Sequence, residues 1–193
     1  MFELFISFII ILSIVFSSGL IFSKIIFHNS NNKINLFEIG LLGVFFYIFL
    51  SFIIHFFLPL SKIVNLIVCS SLLLIATSKL DKEILNDLIK NKLVIFFSFI
   101  LVIIMSLKYK PNEDYGFYHL PYIINLVSEK IIFGLSNLQP QYAWNSTWLN
   151  FSSNFYLPII GLKGTQLSNS ILYFFSVGLF LHKLFIDNSK KDL

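Results

Sequence analysis

LFEIGLLGVFFYIFLSFIIHFFL, Leu36 to Leu58, carries Glu38 in its first turn and after it only Ser51 and His55 among otherwise apolar residues. A helix needs about 20 such residues to cross the hydrocarbon core of a bilayer, so this stretch predicts a membrane span. Working outward, similar apolar runs cover Phe2 to Phe27, Ile63 to Thr77, Leu93 to Leu107 and Leu167 to Ile186. Leu60 and Ser78 extend the third span, and Asn91 and Lys108 flank the fourth. The expectation is an all-α polytopic membrane protein of about five transmembrane helices. Composition agrees: 12% of the 193 residues are charged and 56% hydrophobic, against roughly 25% charged in soluble domains. The first run begins Met1-Phe2-Glu3, acidic and longer than a signal-peptide core, so it is expected to stay as an uncleaved span.

All the basic charge is lysine, and short cytoplasmic loops carry the positive excess. Lys24 and Lys33 flank the first loop, Lys79, Lys82, Lys90 and Lys92 sit in the third, and Lys183, Lys190 and Lys191 close the chain. Placing these on the cytoplasmic side puts the N-terminus and the long fourth loop outside. The domain layout is then a four-span membrane region over 1–108, an outward interfacial loop with short helices over 109–166, and a fifth span with a basic cytoplasmic tail over 167–193. The lysines therefore serve topology and do not mark nucleic acid, and the partner they imply is the lipid bilayer. The protein is expected in the inner cell membrane as a multi-pass protein.

Leu80, Ile84, Leu85, Leu88 and Ile89 recur at helical spacing in the third loop, with Asp81, Lys82, Glu83, Asp87 and Lys90 between them. This predicts a short interfacial helix, whose polar residues read either as a solvated face or as a lipid-headgroup site. In the fourth loop, Tyr118, Tyr122, Ile123, Leu126 and Ile131 predict a helix over 118–132 with Pro121 at an early position and Gly134 as its stop. A second helix is expected to start with Asn145 or Ser146 as N-cap, carry Trp148, Leu149 and Phe155, and end before Pro158. Cys69 lies in the third span and reads as a small packing residue. Gly40 and Gly43 allow close helix approach without forming the four-residue small-residue repeat.

Chemistry concentrates after the fourth span, in Glu113-Asp114-Tyr115-Gly116-Phe117-Tyr118-His119. An aspartate at the bilayer centre costs about 2.5–3.5 kcal/mol, so the carboxylate pair belongs at the interface or in a polar cavity. There one member can act as base toward an acceptor hydroxyl while the other holds a divalent cation or further hydrogen bonds. The same acids also suit the positive end of a helix, as caps. One histidine with one carboxylate falls short of a structural zinc site, and no metal ligand set emerges. Tyr142, Trp144, Trp148, Phe151, Phe155 and Tyr156 read either as a sugar-stacking surface, with Asn137, Gln139, Gln141 and Asn145 as hydrogen-bonding partners, or as an interfacial aromatic belt. The two N-glycosylation patterns at Asn145 and Asn150 read as accidental. His55, near the end of a span among phenylalanines, reads as a packed or hydrogen-bonded histidine.

In order, Asp114-x-x-x-Tyr118-His119, Gly134-Leu135-x-Asn137-Leu138 and Asn145-Ser146-x-Trp148 resemble the signature of a family of uncharacterised bacterial multi-pass membrane proteins. That family in turn resembles, more loosely, the GT-C membrane glycosyltransferases, which carry an acidic motif in the first large outward loop and take sugar from a polyprenyl-phosphate donor. The resemblance implies catalytic roles for Asp114 and its neighbour Glu113. Asp114 would deprotonate or orient an acceptor hydroxyl for inverting attack on the donor anomeric carbon. His119 or Lys130 would contact the donor phosphate, and Tyr118, Asn145 and Trp148 would complete the substrate site. Such enzymes carry many more spans after the acidic loop, so the expected function is the N-terminal part of one, in cell-envelope polysaccharide synthesis. The alternative is a non-catalytic membrane subunit whose outward loop binds a partner, a polysaccharide or a further membrane subunit.

Overall fold

The computed structural model describes residues 2–27, 34–107, 115–134, 137, 140 and 146–187. In order these form α1 (Phe2–Ile26), α2 (Leu36–Phe57), α3 (Lys62–Thr77), α4 (Lys82–Lys90), α5 (Lys92–Leu107), a π-helical turn (Tyr115–His119), α6 (Leu120–Ser128), α7 (Thr147–Ser153), a 3-10 segment (Leu162–Leu167), α8 (Ser168–His182) and a second π-helical turn (Lys183–Asp187). The protein is all-helical, and among the described residues the one strand-like feature is an isolated antiparallel bridge between Leu157 and Gly161. Two helices, Glu3–Ile26 and Leu36–Phe57, are long and apolar enough to cross a membrane. At 1.5 Å per residue, α3 and α5, 16 residues each, reach about 24 Å, short of the roughly 30 Å core. If α3 and α4, bent by 100° at their junction, count as one broken span, the number rises to three.

Local chemistry explains where these helices start. Asn35 opens α2 by accepting the backbone N–H groups of Phe37 and Glu38 at 2.9 Å, while Glu38 reaches back to accept the Asn35 N–H at 3.1 Å. This reciprocal capping satisfies donors that an apolar surrounding would leave stranded. Asp81 opens α4 in the same way, accepting from the Ile84 N–H at 3.0 Å. Asn91 closes α4, its N–H and its side-chain amide both donating to the Asp87 carbonyl.

The chain forms two compact units, one of Met1–Ile11, Phe45–Ser71 and Lys110–Ser168, the other of Leu12–Val44, Leu72–Tyr109 and Asn169–Leu193. In the second unit α1 meets α2 at Gly19 and Gly43. A methyl group built on Gly19 would overlap the Ile39 carbonyl oxygen, and one on Gly43 would overlap that of Val15. The Ser18 hydroxyl crosses this contact, donating to the Gly43 carbonyl at 3.0 Å. Gly40 receives the Phe175 ring of α8.

Below this crossing, Ile84 of α4 is buried against Leu20 and Ile39, with Phe16, Ile34 and Leu88 around them. Lys24 also reaches Asp81 at 2.9 Å. That contact, with the Ile84 N–H, holds the Asp81 carboxyl below its usual range. Both partners of the pair stay nearly half exposed, where an ion pair is worth about 0–1 kcal/mol. Burial of Ile84 contributes about 1.5–3 kcal/mol, so apolar packing, with the salt bridge second, seats α4.

The first unit is built on an aromatic column. Tyr47, Phe151 and Phe155 are fully buried, with Phe151 and Phe155 edge-on at 4.8 Å and Tyr47 at 5.9 and 6.0 Å from them. The Tyr47 hydroxyl lies 3.1 Å from the buried Cys69 sulfur, so Cys69 is the packing residue expected of it.

Candidate functional site

Glu113, Asp114 and Asn145 lie outside the described residues. Tyr115–His119, next after the acidic pair in sequence, form a π-helical turn that passes directly into α6. Its Phe117 and Tyr118 are 72% and 40% exposed, while the Tyr115 hydroxyl lies 3.4 Å from the Thr165 hydroxyl. The Tyr115–Thr165 contact ties this turn to the 3-10 segment.

His119 sits at the junction of the π-turn and α6, half-buried, with helical backbone and no capping bond from its side chain. Its Nδ1 is buried and has no hydrogen-bond partner among the described residues. Pro121 follows in the first turn of α6, where its missing N–H costs nothing. Tyr122, Ile123 and Leu126 face inward, and burial pushes the Tyr122 hydroxyl up from its ordinary pKa.

The helix ends at Ser128, six residues before Gly134 and earlier than the periodicity predicts. Glu129 is extended (φ −128°, ψ 152°), and the Ile131 N–H leaves the helix to donate to the His55 carbonyl at 3.1 Å. The Leu60 N–H likewise donates to the Leu126 carbonyl at 2.9 Å. These two bonds fasten the C-terminal end of α6 and the chain just after it to the last turn of α2 and the turn that follows it. Buried His55 takes part through its backbone, in keeping with a packed residue. Lys130 is exposed.

Gly134 and Asn137 of the second sequence block make a tight turn. Gly134 has φ +81°, which glycine adopts without steric cost, and the Asn137 N–H donates to its carbonyl at 2.9 Å. In the third block Ser146 precedes α7 as expected, although its side chain makes no cap bond. Trp148 lies half-buried with its ring 5.0 Å from Phe151. It thus extends the aromatic column. α7 packs on α6.

Sequence reading missed the polar groups beneath this surface. Asn65, fully buried, points its amide nitrogen at the carbonyls of Leu60 and Ser153 at 2.8 Å and of Tyr156 at 3.2 Å. Asn154, also fully buried, donates to Ser51 and to the Asn150 carbonyl. Ser152 bonds Ser168 at 2.8 Å. The carbonyls facing Asn65 and Asn154 fix which amide atom is nitrogen, so the amide oxygens are the acceptors left over. Those of Asn65, Asn150 and Asn154 are buried without a hydrogen-bond partner among the described residues. The one available signal was asparagine inside an apolar run, as at Ile63-Val64-Asn65-Leu66.

Among the described residues no three His, Cys, Asp or Glu side chains come together as a metal site. The described residues that follow the acidic pair in sequence form a turn fastened to the 3-10 segment, with a buried histidine nitrogen and the exposed aromatic side chains Phe117 and Tyr118.

The chain belongs to the family described as Domain of unknown function (DUF8201), whose model matches residues 1–193. No curated protein and no solved structure matches it.

Proposed function

We propose, with whole-chain membership of that family as the premise, that this protein is a five-span membrane protein of the cell envelope. In this reading it is the N-terminal part of a GT-C-like glycosyltransferase acting on polyprenyl-linked sugars. The bonds that join its loops support the topology. Lys24 and Asp81 pair the end of α1 with the third loop, and both belong on the cytoplasmic side. The bonds from Leu60 to Leu126 and from Ile131 to His55 pair the second loop with the fourth, and both belong outside. This is the alternation that five crossings require.

The observation that carries the site is the fastened helical turn beginning at Tyr115. The turn follows Asp114 directly in sequence, in the loop that this reading places outside. Asp114 would take the proton of an acceptor hydroxyl, Glu113 would hold hydrogen bonds or a divalent cation beside it, and His119 or Lys130 would contact the donor phosphate. Tyr118, Asn145 and Trp148 would bound the sugar site, with Trp148 acting from its place against Phe151. The exposed Phe117 and Phe133, 72% and 84% accessible, favour a second reading, in which this surface docks a further membrane subunit without catalysis.

Two substitutions separate these readings. Asp114→Asn in the full assembly should abolish the surface polysaccharide while leaving insertion and abundance unchanged, because an amide cannot act as a carboxylate base. Asparagine caps helices about as well as aspartate, whereas alanine costs about 1 kcal/mol. A silent Asp114→Asn beside a mildly destabilised Asp114→Ala would reduce Asp114 to a helix cap and favour the docking reading.

A further inference from the structure

At about 100° per residue, Ile84 and Leu88 share the face of α4 that packs inward. Leu85 and Ile89 fall about 100° round from them, and they are 50% and 67% exposed. Lys82 stands beside Ile89 on this second face. Glu83 and Asp87 project from nearly the opposite side of the helix, and Asp81 is held by Lys24. Leu80 and Leu93, at the two ends, are 44% and 63% exposed. Lys79 and Lys92 flank the helix in sequence, while Lys90 falls on the side of Glu83 and Asp87. Its bend of 100° from α3 turns it off the axis of that helix.

We propose that α4 is an anionic-lipid anchor: Leu85 and Ile89 insert among the acyl chains of the cytoplasmic leaflet, and Lys82, with the lysines at the helix ends, binds the anionic headgroups. Charge complementarity selects this occupant. The apolar pair is flanked by an ammonium group, and the carboxylates that would repel a negative surface point away from it. An amphipathic helix of this kind lies in the plane of the interface, its affinity set by buried apolar area and by attraction to anionic lipid. The proposal rests on the membrane reading above, and its test is built to tell the two apart.

The full chain carrying Cys69→Ser would receive one new cysteine, from Ile89→Cys, Glu83→Cys or Phe49→Cys, each spin-labelled. It would be reconstituted in bilayers of phosphatidylcholine alone or with added phosphatidylglycerol. All three new positions are exposed on their helices. The label at position 89 should be lipid-immersed, more so with phosphatidylglycerol, and the label at 83 should be in water. Lys82→Gln should weaken the phosphatidylglycerol dependence about fivefold, the ratio expected for loss of one lysine at a charged surface. A label at 89 as water-accessible as that at 83, or indifferent to phosphatidylglycerol, would overturn the anchor. If the label at 49 is lipid-immersed in that case, the membrane reading stands and the anchor alone fails. A water-accessible label at 49 would overturn both.

Discussion

Gly43→Leu is expected to separate α1 from α2 and to leave little folded protein. Even the first carbon of a new side chain at this position meets the Val15 carbonyl oxygen and crowds the Gly19 backbone at 2.9 Å. The neighbours are backbone, which cannot rotate aside, so the helices must part, losing the Ser18 to Gly43 bond and the packing around it. Overpacking a core typically costs 1–3 kcal/mol, and a clash with backbone belongs at or above the top of that range, about 3 kcal/mol. Small residues at helix crossings in membranes act through such close approach. Thermal unfolding in detergent should therefore show a large loss for Gly43→Leu and an intermediate loss for Gly43→Ala. Gly116→Ala, where no described residue lies within 4 Å of the added carbon, should unfold like the parent. A Gly43→Leu protein that melts with the parent would mean that the α1–α2 contact is not made as described.

Asn65→Leu is expected to loosen the 153–156 turn from α3. The substitution nearly preserves volume, so packing changes little. The carbonyls of Leu60, Ser153 and Tyr156 lose their shared amide donor inside a buried site. Stranding buried acceptors costs about 1–3 kcal/mol, and that loss falls on the contact joining α3 to the 153–156 turn. Asn65→Asp should be worse, because it sets an acceptor-only carboxylate against those three carbonyls. Limited proteolysis should find the region after α6 cleaved faster in both variants, with α1 and α2 unaffected. Equal protection in Asn65→Leu and the parent would show that the amide holds nothing there.

Much of this fold can be read from composition, because its elements are defined locally. The runs at Phe2 and Leu36 become α1 and α2 within a residue or two of their apolar limits. The periodic stretch after Lys79 becomes α4, with Asp81 as its cap. Ser146 opens α7 and Pro158 lies beyond its end. The buried amide network stayed hidden for the opposite reason. Asn65 finds Ser153 across 88 residues and Asn154 finds Ser51 across 103, and no local pattern encodes such pairings. The early end of α6 has the same origin: a bond to the His55 carbonyl, remote in sequence, outcompetes a further helical turn. Gly40 and Gly43 drew notice as a pair, yet Gly43 meets Gly19 while Gly40 meets Phe175. Spacing reveals small residues without revealing their partners. For the candidate site, residue types pointed to Glu113 and Asp114, which lie outside the described residues, and the structure describes the chain from Tyr115 onward.

The central claim is that the loop carrying Asp114 faces away from the cytoplasm while α4 faces into it. It is tested most directly by thiol labelling of intact cells, in a Cys69→Ser background, with an impermeant reagent. A cysteine from Ser136→Cys should react before the cells are opened, and one from Asn86→Cys only afterwards. The reverse pattern would contradict the account, removing both the outward platform around Asp114 and the cytoplasmic leaflet as the surface that α4 binds.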